Sequence, residues 1–159
     1  MATQTMAYRL LAAADMLLEE GVRSSTFRRR AISTAYYAVF HSVDKLCADY
    51  VTRGAKRDSE VYNRAYRALD HAPLKNAFSQ SPLRENPRLS KIGSAIVQLQ
   101  TERHKADYMP PVKGLFTQDR ARELVAMARE AIGEIEKLRS SRNDCRTLAT
   151  SLLFKERKS

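Results

Sequence analysis

Apolar residues recur three and four positions apart through most of the chain, the period of an α-helix that buries one face. Met6, Leu10, Ala13, Leu17 and Leu18 predict a helix over 3–20, with Gly21 at the C′ position beyond it. Ile32, Tyr36, Val39, Val43 and Leu46 predict a longer one over 26–52, with Ser24, Ser25 and Thr26 as candidate N-caps and Gly54 past its end. A third helix is expected over 59–72, stopped or kinked by Pro73, and 74–78 either continues it or stands apart. The polar stretch 80–87 reads as a loop. A fourth helix spans 87–108, ended by Pro110 and Pro111, and Gly114 lies in the loop that follows. Thr117 caps a fifth, with Asp119 in its first turn and a stripe of Leu124, Met127, Ala131, Ile135 and Leu138. No run of alternating β-branched residues argues for a strand. Short connections between long amphipathic helices favour antiparallel neighbours. The expected fold is therefore all-α, an up-and-down bundle of four to five antiparallel helices over 1–139. Residues 140–159 follow as a basic tail or short helix carrying Leu148, Leu152, Leu153 and Phe154.

Two segments break the simple pattern. Beside the apolar stripe of 26–52 runs a polar one, Arg30, Ser33, Tyr37, His41 and Asp44, each three or four residues from the next. It is either a hydrogen-bonded seam between helices, an exposed face, or part of a site. In 87–108 the stripe Ile92, Ile96, Leu99 continues onto Arg103 and Ala106, so the period turns an arginine inward. A buried guanidinium is very costly unless paired. Asp107, one turn on, is the nearest partner, with Asp44 or the hydroxyls of the second helix as others. Arg103 is accordingly either a structural clamp or a member of a site.

Composition narrows the classes. A chain of 159 residues can bury well over half of its surface and needs no metal or disulfide. Cys47 and Cys145 stand alone, as free thiols of a reducing compartment do. No His/Cys group has zinc-ligand spacing, no glycine-rich nucleotide loop is present, and no cofactor is expected. Asp15, Glu19 and Glu20 interrupt the N-terminal apolar run, and no stretch reaches the ~20 apolar residues of a membrane span, so a cytoplasmic location away from membranes is expected. The net charge of +10 points either to a polyanionic partner or to a solvated basic surface.

The segment Arg29–His41, RRAISTAYYAVFH, followed by Leu99–Pro110, LQTERHKADYMP, resembles the HEPN domain superfamily, and the stretch from Val61 to His71 suits the same family. The resemblance covers roughly 8–138. It implies a helical bundle, usually a homodimer, that binds nucleotides or RNA. Many members are metal-independent endoribonucleases of toxin–antitoxin, CRISPR and phage-defence systems; others are non-catalytic, and some act beside a small nucleotidyltransferase. The family signature is an arginine, often followed by a polar residue, with a histidine four to six residues on. Arg103 matches the arginine and His104 the polar position, and Tyr108 stands five residues on where a histidine is expected. A phenol is a poor general base at neutral pH, although it can orient a 2′-hydroxyl. Arg64 and His71 form another arginine–histidine pair, seven positions apart and one beyond that window.

Metal-free RNA cleavage requires a base for the 2′-proton, an acid for the leaving 5′-oxygen and cations for the phosphorane. Arg103, His104, Tyr108 and His71 are the candidate catalytic residues, supported by Ser33, Tyr37, His41, Asp107 and Arg30, with no metal ligand among them. The run Arg28–Arg30 and the tail would attract phosphates. Two functions follow as expectations. One is a HEPN-like homodimer that binds, and in the stronger form cleaves, RNA in a toxin–antitoxin or defence setting, with a protein antitoxin as partner. The other is a non-catalytic module that dimerises or pairs with a nucleotidyltransferase-type or other protein.

Overall fold

Helices start where the chain places a short hydroxyl or amide side chain able to accept a hydrogen bond from the first turn. In the computed structural model, which describes residues 4–154, α1 runs over Met6–Gly21, α2 over Ser25–Thr52, α3 over Glu60–Arg67, α4 over Leu74–Phe78, α5 over Pro87–Tyr108, α6 over Gln118–Lys137 and α7 over Arg142–Leu153. The Thr5 hydroxyl accepts from Tyr8 N, Ser59 from Tyr62 N, Thr117 from Arg120 N and Ser141 from Asp144 N. Asn86 caps α5: its Oδ1 accepts from the amides of Arg88 and Leu89, and Pro87 occupies the first helical position, where its missing N–H costs nothing. The chain is an all-α bundle in which α1, α2, α5 and α6 are the long helices.

Three local expectations change. On α1 the buried face is Ala7, Leu11, Ala14 and Gly21, while Met6 is exposed. Gly21 is the last helical residue rather than a left-handed terminator; a Cβ there would lie 2.9 Å from the Arg28 Cγ, so close approach is what demands glycine. The third helix ends at Arg67, six residues before Pro73, and α4 is a separate short helix. The stretch read as a loop carries a 3-10 turn over Leu83–Glu85 with Leu83 fully buried.

The chain divides into two compact units, one formed by residues up to Ser42 with Ala95–Gly133 and the other by Val43–Ser94 with the residues from Glu134 on. In the first, Leu11, Ala14, Ile32, Tyr36 and Val39 are buried with Ile96, Leu99, Leu124 and Ile132. In the second, Val43, Leu46, Leu74, Leu83 and Leu89 are buried with Leu138, Leu148 and Leu152. There Asp144 of α7 accepts from the Asn86 amide at 2.8 Å and pairs with Arg88 at 3.5 Å, which ties α7 to the start of α5. Cys47 and Cys145 are free and buried. Among the described residues no helix is long and apolar enough to cross a membrane.

Two helical glycines give opposite expectations. A Cβ on Gly93 of α5 would lie 2.4 Å from Phe78 Cδ1 and 2.9 Å from its Cβ, so the whole ring would have to move. Gly93→Ala is expected to destabilise by about 2 kcal/mol even after the gain in helix propensity. A Cβ on Gly133 of α6 meets nothing within 4 Å, and Gly133→Ala is expected to stabilise by roughly 0.5–1 kcal/mol. Urea denaturation of both variants checks the pair. A Gly93→Ala protein as stable as the parent would mean that Phe78 has a second position to occupy.

Candidate functional site

Arg103 is the inward-facing arginine that the α5 period calls for, and the first unit closes around it. Its side chain is 12% exposed, and its Nη1 lies 3.5 Å from Asp107 Oδ2, one turn along the helix. The Ser33 hydroxyl of α2 donates to the same oxygen at 3.3 Å. The guanidinium carbon sits 5.2 Å from the centre of the Tyr36 ring and 5.7 Å from that of Tyr37. These two rings meet edge to face at 5.4 Å. Cation–π contacts of this kind contribute about 0.5–2 kcal/mol each, most when desolvated. Burial raises the Tyr36 phenol well above its ordinary range, so it remains a neutral ring beneath the cation. Arg103 Nε and Asp107 Oδ1 are buried without a hydrogen-bond partner. The cluster therefore ties α5 to α2 through an ion pair, a shared hydroxyl and two aromatic faces.

The C-terminal end of α5 is held by a second arginine. Arg29 Nη1 donates to the carbonyls of Ala106 and Met109, and Nη2 to that of Pro110 at 2.9 Å. A cation at this end offsets the carbonyl dipoles and the Asp107 carboxylate beside them. Arg28 does the same for α1: Nη1 donates to Gly21 O at 2.6 Å, and Nε to Phe116 O at 2.9 Å. Two of the three arginines in the run Arg28–Arg30 are thus fixed by backbone carbonyls, a use the sequence pattern does not reveal. Arg30 is exposed and lines a small cavity with Arg29, Thr26 and Asp107.

His104 and Tyr108 are exposed and their rings meet at a tilt of 51°, with centres 4.9 Å apart. His41 is half-buried edge-on to Phe40, and burial holds its imidazole below the ordinary range. His71 and Asp44 belong to the second unit. His71 is half-buried in the turn between α3 and α4, and Arg64 is exposed on α3. Asp44 is 2% exposed. Of the polar stripe on α2, then, Ser33 and Tyr37 join the Arg103 cluster as a seam. Among the described residues no three His, Cys, Asp or Glu side chains come together as a metal site.

Sequence reasoning passed over Arg23 and Lys113, isolated bases in the connections before α2 and before α6. Both line a cavity of about 420 Å³ with Arg28 and Arg29. No spacing rule marks them, because each is placed by a loop; only the positive φ of +80° at Gly114 hints that the chain turns sharply beside Lys113. No protein-family model, curated protein or solved structure matches the chain, so its own side chains carry the functional case.

Proposed function

We propose that this chain is a HEPN-like helical module that binds RNA without cutting it. The observation that carries this reading is the engagement of Arg103 by Asp107 and by the faces of Tyr36 and Tyr37, while cations that have no ion-pair partner among the described residues gather elsewhere in the same unit. Cleavage would need an arginine fork turned to the phosphorane and an imidazole beside it. Here one arm of the fork, Nη1, faces Asp107 at 3.5 Å with the guanidinium against two rings, and His104 faces outward with Tyr108. The charge of +10 supplies sequence-independent attraction to a phosphate backbone. A toxin–antitoxin or defence setting, homodimerisation and a protein antitoxin are suggested by the resemblance alone.

The alternative, a non-catalytic module that dimerises or pairs with a nucleotidyltransferase-type or other protein, is favoured by one observation. Tyr108, Met109 and Val112 are all exposed within five residues at the end of α5. Incubation of the purified protein with a labelled single-stranded RNA in EDTA tests both. Expected are an intact RNA and binding that weakens steeply between about 50 and 200 mM salt. Cleavage lost in Arg103→Ala would overturn the non-cutting reading. No binding at low salt would overturn the RNA reading and leave the partner reading, for which a dimer mass by light scattering is the expected sign.

A further inference from the structure

The cavity of about 420 Å³ in the first unit lies within the size range of small-ligand sites. Arg23, Arg28, Arg29 and Lys113 line it with Ser25, and no Asp or Glu does. The hydrogen bonds of Arg28 and Arg29 end on neutral carbonyl oxygens, which orient the guanidinium groups without cancelling their charge. The carbonyl ends of α1 and α5 return about half a negative charge each, against four cations. With the Asp107 carboxylate beside Arg29 counted as well, roughly two positive charges are left around the cavity. Among the described residues neither Arg23 nor Lys113 has an ion-pair partner, so neither is used as a clamp. A smaller cavity of about 270 Å³ shares Ser25, Arg29 and Pro111 with it and adds Arg30 together with the Asp107 carboxylate.

We infer that this cavity is a phosphate-binding site whose ligand is the phosphate of a nucleotide unit, supplied either by an RNA strand or by a free mononucleotide. Arg28 and Arg29 are its carbonyl-held cations, and Arg23 and Lys113 add positive charge from the two connections. Apolar walls from Val22 and Val112 suit a ligand with an organic part beside its charge. The RNA arm of the inference rests on the proposed RNA binding; the mononucleotide arm does not.

The test compares the full chain with Arg23→Ala/Lys113→Ala, and with Lys56→Ala/Arg84→Ala as a control that removes the same charge from exposed positions of the second unit. Arg28 and Arg29 are left intact because their loss would unfasten helix ends. The probes are a labelled RNA lacking a 5′-phosphate, followed by anisotropy, and adenosine monophosphate, followed by thermal shift. Expected for the Arg23/Lys113 pair is RNA affinity about tenfold weaker at low salt, with a log–log salt slope shallower by about 1.4, while the control pair changes affinity less than about twofold. If the parent binds RNA and both pairs weaken it equally, the cavity assignment falls while RNA binding stands. If RNA is not bound but adenosine monophosphate raises the melting temperature of the parent and not of the Arg23/Lys113 pair, RNA binding falls and the cavity stands for a free nucleotide. If neither probe distinguishes the pairs, the inference is overturned.

Discussion

Arg103→Ala is expected to remove about 3 kcal/mol of stability while leaving RNA affinity at low salt nearly unchanged. Breaking a buried ion pair by deleting one partner costs about 3–5 kcal/mol, mostly because the remaining charge stays buried and uncompensated. The Arg103–Asp107 pair is close to that limit, at 12% and 16% side-chain exposure, but its 3.5 Å separation argues for the lower end. Loss of the two ring contacts adds to it. After the deletion the Ser33 hydroxyl still donates to the Asp107 carboxylate, and Arg29 and Arg30 line the same small cavity. The double replacement Arg103→Met with Asp107→Leu removes both charges and keeps apolar volume, so it should recover most of the loss, giving a coupling of about 2 kcal/mol in a double-mutant cycle. Urea midpoints of the parent, the two single variants and the double variant supply the cycle. If Arg103→Ala is as stable as the parent but no longer binds RNA, the clamp assignment fails and Arg103 is a ligand-facing residue after all.

That experiment bears on a place where the sequence leaves two readings open. The helical period places Arg103 inward but cannot say whether its charge meets a carboxylate or a ligand; the answer depends on the Asp107 rotamer and on which α2 residues face α5. Helix ends were legible where capping chemistry is local. Pro87 and the pair Pro110–Pro111 bound α5 as expected, and Thr117 starts α6. The face of α1 was misjudged because methionine and leucine dominate a hydrophobic pattern, whereas Ala7 and Ala14 are buried for their small size. The end of α3 was misjudged for a different reason. Proline forbids a helix at Pro73 but does not require it to reach that far, and the chain turns to bury Leu69 instead. Arg28 and Arg29 illustrate what no local pattern contains: their acceptors at Phe116, Ala106, Met109 and Pro110 are nearly eighty residues or more away. Long-range capping consumes two members of a run that in sequence looks like a phosphate-binding strip.

Asp44 supplies the second large expectation, a protein roughly 3 kcal/mol less stable at pH 8 than at pH 5. Its carboxyl is 2% exposed, Oδ1 has no hydrogen-bond partner, and burial pushes its pKa up from 3.8 to about 8. Burial first, and then the charge of Asp44, likewise raise the Cys47 thiol and the Tyr66 phenol, which places the three groups in one poorly solvated region. The folded state therefore holds a proton that the unfolded chain releases near pH 4, and stability falls as pH rises from there through about 8. At about 1.4 kcal/mol per pKa unit, most of a shift of roughly four units is expressed between pH 5 and 8. Two other groups act in different windows. His41, lowered by burial, adds stability as pH climbs to 6.5 and nothing beyond it. Asp49 is half-buried, but Lys45 and Arg139 outweigh its desolvation and hold it below the usual carboxylate range, so it is ionised in both states above pH 5. Above pH 6.5 the slope belongs to Asp44 alone and amounts to roughly 2 kcal/mol by pH 8. Asp44→Asn removes the titrating group at nearly constant volume and should flatten the urea-midpoint profile over that interval. A profile as steep in Asp44→Asn as in the parent would locate the proton elsewhere and leave Asp44 an ordinary ionised carboxylate.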